Sequence, residues 1–74
     1  MTEAEIFDKL VEIIDPLDPI TLETVVKDCV DIDSLALFNI VFFYKQEKGL
    51  ALALNDFMPC TTVGDMVKLI ASKQ

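Results

Sequence analysis

The stretch "VDIDSLALF", Val30 to Phe38, sets a serine directly after two aspartates spaced by one residue and directly before a strongly apolar run. A hydroxyl there has two uses: it can cap a helix, or it can serve as a chemical attachment point. The rest of the chain has to choose between them. Downstream, Leu35, Phe38 and Phe42 recur at helical spacing, as do Leu37, Val41 and Tyr44, while Ile40 and Phe43 form a third set. The spacing predicts a helix from Ser34 to about Lys48, with Gly49 free to take the left-handed conformation just past its end. Such a helix is apolar nearly all round. It is either central or exposes a sticky face, and a chain of 74 residues has little room to hide it completely.

On the N-terminal side, "TEAE" at Thr2 to Glu5 reads as a capping box, and Ile6, Phe7, Leu10, Val11, Ile13 and Ile14 follow at helical spacing. A first helix from about residue 3 to Ile14 is stopped by "DPLDP", because proline lacks an amide hydrogen and disfavours helix in the residue before it. The connection from Asp15 to Asp33 is long for a compact domain. "ITLETVV" offers Ile20, Leu22, Val25 and Val26 to pin it to the core, so it is expected to be ordered, with room for a helical turn. On the C-terminal side, "LALALNDF" alternates like a strand but has no second strand to pair with. It is read as a loop with a short third helix near Asn55 to Met58, stopped by Pro59. "TTVGDMVKLIAS" then reads as a capped fourth helix, with Thr62 as N-cap, Asp65 completing a capping-box variant, and Val63, Met66, Val67 and Ile70 facing inward. The fold expected is all-α: a small four-helix bundle of three main helices plus a short third one, in a single domain spanning residues 1–74.

Composition excludes several chemistries. With no histidine and only Cys29 and Cys60, the chain alone assembles neither a four-ligand zinc site nor a histidine-based triad. Met1 leads directly into "TEAE" with no secretory leader, so both cysteines are expected as buried thiols in a reducing cytosol. The longest apolar run, Leu35 to Tyr44, is interrupted by Asn39 and falls far short of the roughly 20 residues that span a bilayer. A net charge of −7 argues against nucleic acid as a partner. Residues 1–33 hold ten of the thirteen acidic residues against two lysines, a balance of −8, whereas residues 34–74 stand at +1. Asp28, Asp31 and Asp33 lack the mid-loop glycine and closing glutamate of a calcium loop, and are read mostly as a solvated surface with no dedicated metal site, loose binding of divalent ions being the alternative.

The order of elements and the serine motif together resemble the acyl carrier protein family. A helix, a long acidic loop, "DSL" at Asp33 to Leu35 opening a second helix, a glycine ending it, a short third helix and "TTVGDMVKLI" capping a fourth cover almost the whole chain, from about Glu5 to Ile70. The resemblance implies that Ser34 carries 4′-phosphopantetheine, attached as a phosphodiester by a phosphopantetheinyl transferase that uses coenzyme A. It also implies that acyl groups are held as thioesters on that arm and presented to acyl-loading and acyl-processing enzymes. Asp33 resembles the family's acidic neighbour, which helps orient the transferase's metal and coenzyme, and Leu35 would contact the transferase or the arm. The protein itself would be a non-catalytic, monomeric, cytoplasmic carrier.

The departures from the family pattern are equally informative. Fatty-acid carriers have acidic residues down the second helix for basic partner surfaces, and the corresponding positions here are Ala36, Asn39, Lys45 and Gln46. Asp31 stands where many relatives have glycine. In exchange the helix carries Leu37, Phe38, Phe42, Phe43 and Tyr44, more than a thin core requires; these either pack inside or, for Leu37, Phe38 and Phe42, are expected to bind partners through apolar contact. This favours a specialised lipid, polyketide or secondary-metabolite pathway over bulk fatty-acid biosynthesis. Two alternatives remain open, a helical interaction module without a prosthetic group and a carrier for an aminoacyl group.

Overall fold

The computed structural model describes residues 1–74 and contains three α-helices: α1 (Glu3–Ile14), α2 (Ser34–Lys48) and α3 (Val63–Lys73). Each starts where a local cap dictates. Thr2 and Glu5 form the reciprocal capping box of α1, the Glu5 N–H donating to Thr2 Oγ1 at 3.1 Å and the Thr2 N–H donating to Glu5 Oε1 at 2.7 Å. Thr62 and Asp65 repeat the arrangement at α3, where Asp65 Oδ2 also accepts from the Thr61 N–H at 3.0 Å. The first two end as locally. Asp15 takes a left-handed conformation (φ 49°) just before Pro16, and Gly49 does the same (φ 62°) after α2.

The expected short third helix is a single 3₁₀ turn at Leu54–Phe57, so the bundle has three α-helices and not four. Pro59 lies too close for a second turn to form. A further 3₁₀ turn at Val26–Asp28 gives the long loop its helical element. That loop is ordered, in part through its apolar residues as expected and in part through its backbone. Ile20 and Val26 pack against the core, while Leu22 and Val25 are exposed. The backbone supplies the rest of the pinning: the Val26 N–H donates to Thr61 O at 2.9 Å, the Val63 N–H to Thr24 O at 2.9 Å, and the Gly64 N–H to Leu22 O at 2.8 Å. Val25 and Thr62 thus form an isolated antiparallel bridge. Gly64 is required by this approach, since a Cβ there would sit 3.0 Å from Leu22 O.

Thirteen buried residues form one cluster around α1 (Ile6, Leu10, Ile14), α2 (Ala36, Ile40, Tyr44) and α3 (Val63, Met66, Val67, Ile70), closed by Ile32, Leu52 and Phe57. All four residues expected to face inward on α3 do so. Helices α1 and α2 run antiparallel: Ile13 and Ile14 lie with Ala36 and Asn39 around one cleft, and further along Lys9 Nζ sits 5.0 Å from the Phe43 ring centroid. No helix is long and apolar enough to cross a membrane.

Candidate functional site

Ser34 is the first residue of α2, and it is not the cap. Asp33 has the extended backbone of an N-cap residue (φ −98°, ψ −175°), and its Oδ1 accepts from the Ala36 N–H at 2.9 Å. Its carbonyl accepts the first helical bond, from the Leu37 N–H at 3.0 Å. With the capping done one residue earlier, the Ser34 hydroxyl makes no hydrogen bond within the protein and faces solvent. The Ser34 and Leu35 N–H groups have no acceptor either, as expected for the first turn of a helix. The end of α2 that holds Ser34 therefore offers free amide hydrogens and the positive pole of the helix dipole, a setting that favours a phosphate group.

The surroundings of Ser34 are apolar on the helix side and acidic on the loop side. Leu35 is 67% exposed, Phe38 56% and Phe42 55%, and together they run as one outward stripe along α2 away from the serine. Leu37 lies outside that stripe. It is half-buried and packs against the core, because one position round from Phe38 on the helix already points toward the interior. Ala36 is likewise buried, so of the four positions read as replacing acids only Asn39, Lys45 and Gln46 are on the surface. A cleft of about 260 Å³ between Ile13, Ile14, Asp31, Asp33, Leu35 and Asn39 opens next to the serine. Asp31, the residue in the place of a glycine, has a role the sequence did not reveal: its Oδ2 accepts from the Leu17 N–H at 3.2 Å and ties the two ends of the long loop together.

Other chemistry-bearing residues do not converge on Ser34. Cys29 and Cys60 are free and half-buried, packed against the core and unpaired. Burial, assisted by the Asp65 and Asp56 carboxylates, pushes the Cys60 thiol above its ordinary range and away from the reactive thiolate. No three acidic or thiol side chains gather at one point. The largest groove, about 540 Å³ and lined by residues such as Phe7, Ile20, Leu22 and Val67, is formed by α1, the loop and α3 with no contribution from α2.

A three-helix core, an ordered acidic loop and a serine at the head of α2 with an unengaged, solvent-facing hydroxyl match the order of elements expected of a small carrier domain. Comparison with known proteins agrees. The chain is 33% identical to the acyl carrier protein of Petrotoga mobilis over 78 aligned positions, covering 99% of this chain and 92% of that relative. It belongs to the acyl carrier protein family. Among solved structures it resembles a candidate acyl carrier protein from Mycobacterium tuberculosis with a TM-score of 0.70 and 26% identity, covering 96% of this chain and 97% of the other. A holo acyl carrier protein from Geobacter metallireducens shares the fold with a TM-score of 0.70 at 23% identity, over 97% of this chain and 84% of that one. No protein-family model matches the chain.

Proposed function

We propose that this chain is a non-catalytic acyl carrier whose Ser34 hydroxyl receives 4′-phosphopantetheine from coenzyme A through a phosphopantetheinyl transferase. The carrying observation is that Asp33, and not Ser34, caps α2, which leaves the serine hydroxyl exposed and without a partner. A serine used only as a cap would have its oxygen engaged with the backbone at N2 or N3. The residues present fit the group. Unpaired N–H groups at Ser34 and Leu35 and the helix dipole favour its phosphodiester, and exposed Leu35 offers apolar contact to the arm or the transferase. When attached, the group supplies the terminal thiol that holds acyl chains as thioesters. The chain's own residues present and orient the attachment point, and with no histidine and a suppressed Cys60 thiol they leave the chemistry to partner enzymes.

The partner surface we assign is the outward stripe of α2, Leu35, Phe38 and Phe42, bordered by Asn39, Lys45 and Gln46. A docking helix with apolar anchors in place of acids supports a specialised lipid, polyketide or secondary-metabolite pathway, operating in the cytoplasm. The same exposed stripe is what would favour an interaction module without a prosthetic group. Intact mass separates the two. Incubation with coenzyme A, magnesium and a broad-specificity phosphopantetheinyl transferase should add one prosthetic group to the parent and none to Ser34→Ala, with helical content retained in both. An unmodified parent, or a modified Ala variant, would refute the carrier reading.

A further inference from the structure

Tyr44 carries the one buried side-chain polar atom in the protein that lacks a hydrogen-bond partner, its hydroxyl oxygen. Its placement inverts the usual order of aromatic residues along α2. Phe38 and Phe42, with no polar atom, are more than half exposed, whereas Tyr44 is 1% exposed. A buried hydroxyl without a partner costs the desolvation of that group, and phenylalanine would pack the same ring without the cost. Burial also pushes the phenol above its ordinary range, so it stays protonated and what it lacks is an acceptor.

Tyr44 lines a cleft of about 320 Å³ together with Met1, Lys48, Leu50 and Gln74. Since one water occupies roughly 30 Å³ of liquid, this space is large enough for a small organic molecule. Lys48 is an exposed cation outside both ion pairs of the protein, which are Lys9–Glu12 and Lys73–Asp56. Lys48 makes no ion pair with Glu5, whose Oε1 accepts from the Thr2 N–H at 2.7 Å in the α1 capping box. Gln74 is also committed, its carboxamide bridging Met1 N and O at 2.8 and 2.9 Å. Among the side chains lining the cleft, those whose polar group has no hydrogen-bond or ion-pair partner are Lys48 and Tyr44, and they stand beside the apolar side chains of Met1 and Leu50.

We propose that this cleft binds a short free carboxylic acid, with Lys48 facing the carboxylate, the Tyr44 O–H donating to it, and Met1 and Leu50 covering the hydrocarbon. The acid enters as the Met1–Gln74 contact gives way. The site is distinct from the attachment serine. Ser34 and Lys48 are the two ends of the 15-residue α2, which at 1.5 Å per residue is about 22 Å long. Binding therefore needs no prosthetic group.

The test is a titration of the unmodified full chain with sodium hexanoate, followed by amide NMR and calorimetry, with sodium chloride and hexanol as controls. Saturable shifts centred on Tyr44, Lys48 and Leu50 are expected with hexanoate alone. Tyr44→Phe should bind at least tenfold more weakly while melting at a higher temperature than the parent, since it removes the unpaired hydroxyl. Lys48→Met, at an exposed position, should weaken binding to a similar degree. The proposal is overturned by an absence of saturable shifts up to tens of millimolar, by hexanol binding as well as hexanoate, or by a Tyr44→Phe variant that keeps its affinity. It is overturned equally if Tyr44→Phe melts no higher than the parent, because the hydroxyl would then already have a partner.

Discussion

Asp33 holds the head of α2 through its bond from the Ala36 N–H, so Asp33→Ala should cost about 1 kcal/mol of stability. Asparagine caps as well as aspartate, and Asp33→Asn should therefore keep the parent melting temperature while removing the charge. Rates of phosphopantetheinylation then separate two roles. A slow but fully folded Asp33→Asn variant assigns the carboxylate a part in positioning the transferase's metal, and an unchanged rate confines it to capping. Gly64 poses a different constraint, since an added Cβ would meet Leu22 O at 3.0 Å while that oxygen is held in the bond from the Gly64 N–H. Overpacking of this kind costs about 1–3 kcal/mol, and alanine recovers up to about 1 kcal/mol of helix propensity. Gly64→Ala should thus destabilise by about 1 kcal/mol, a fall of roughly 4–8 °C in Tm for a domain this size.

The helices α1 and α3 depend on capping boxes whose carboxylates titrate. Bonds accepted from Thr2 hold the Glu5 carboxyl below its ordinary range, and bonds from Thr62 and Thr61 do the same for Asp65. A carboxyl whose folded pKa is depressed contributes stability above its unfolded pKa, near 4, and loses it as pH falls through the folded value. Thermal melts from pH 6 down to 3 should therefore show an acid limb that flattens in the double variant Glu5→Gln, Asp65→Asn. These amides fill the same bonds without titrating. An acid limb as steep as the parent's would refute the assignment of the acid sensitivity to the two capping carboxyls. Helix α2 has no such dependence at its N3 position, where Ala36 stands in place of a carboxylate and the cap is one-sided.

For the molecule as a whole, the division of charge decides how it meets a partner. Most of the acid lies before Ser34, and the outward stripe of α2 is apolar with a neutral to basic border. Long-range attraction between an acidic helix and a basic patch weakens as the Debye length shrinks to about 10 Å near 0.1 M salt, whereas buried apolar contact does not. Affinity for an acyl-processing partner should accordingly change little from low to high salt. It should fall on Phe42→Ala or Phe38→Ala, even though these exposed substitutions leave stability within about 0.5 kcal/mol of the parent. A steep salt dependence that survives both substitutions would move docking to the acidic loop, which the Val25–Thr62 bridge holds in a defined shape.

What could be read from the residues in order was whatever short-range physics controls. The capping boxes at Thr2–Glu5 and Thr62–Asp65, the proline stop after Ile14 and the left-handed Gly49 each involve partners within a few residues, and each stands where the pattern put it. The resemblance carried by "DSL" and "TTVGD" was equally legible, and the comparisons bear out the family. The inward face of α2 was not, because apolar residues on every side leave helical periodicity with nothing to select. Packing against α1 and the Leu54–Phe57 turn chose Ala36, Ile40 and Tyr44, turned Leu37 inward and left Phe38 and Phe42 outside. The same holds for part of the loop: Ile20 and Val26 anchor it to the core as expected, whereas Leu22 and Val25 are exposed, and the remaining anchor is backbone bonding to Thr61, Val63 and Gly64, some forty residues away in sequence. The choice between Asp33 and Ser34 as cap belongs to this second group. Both side chains can accept from a helix N–H, and which one does is settled by where the tertiary contacts of Ile32 and Ala36 start the helix. Burial of those two neighbours sets the register, and the register is what leaves the serine hydroxyl free.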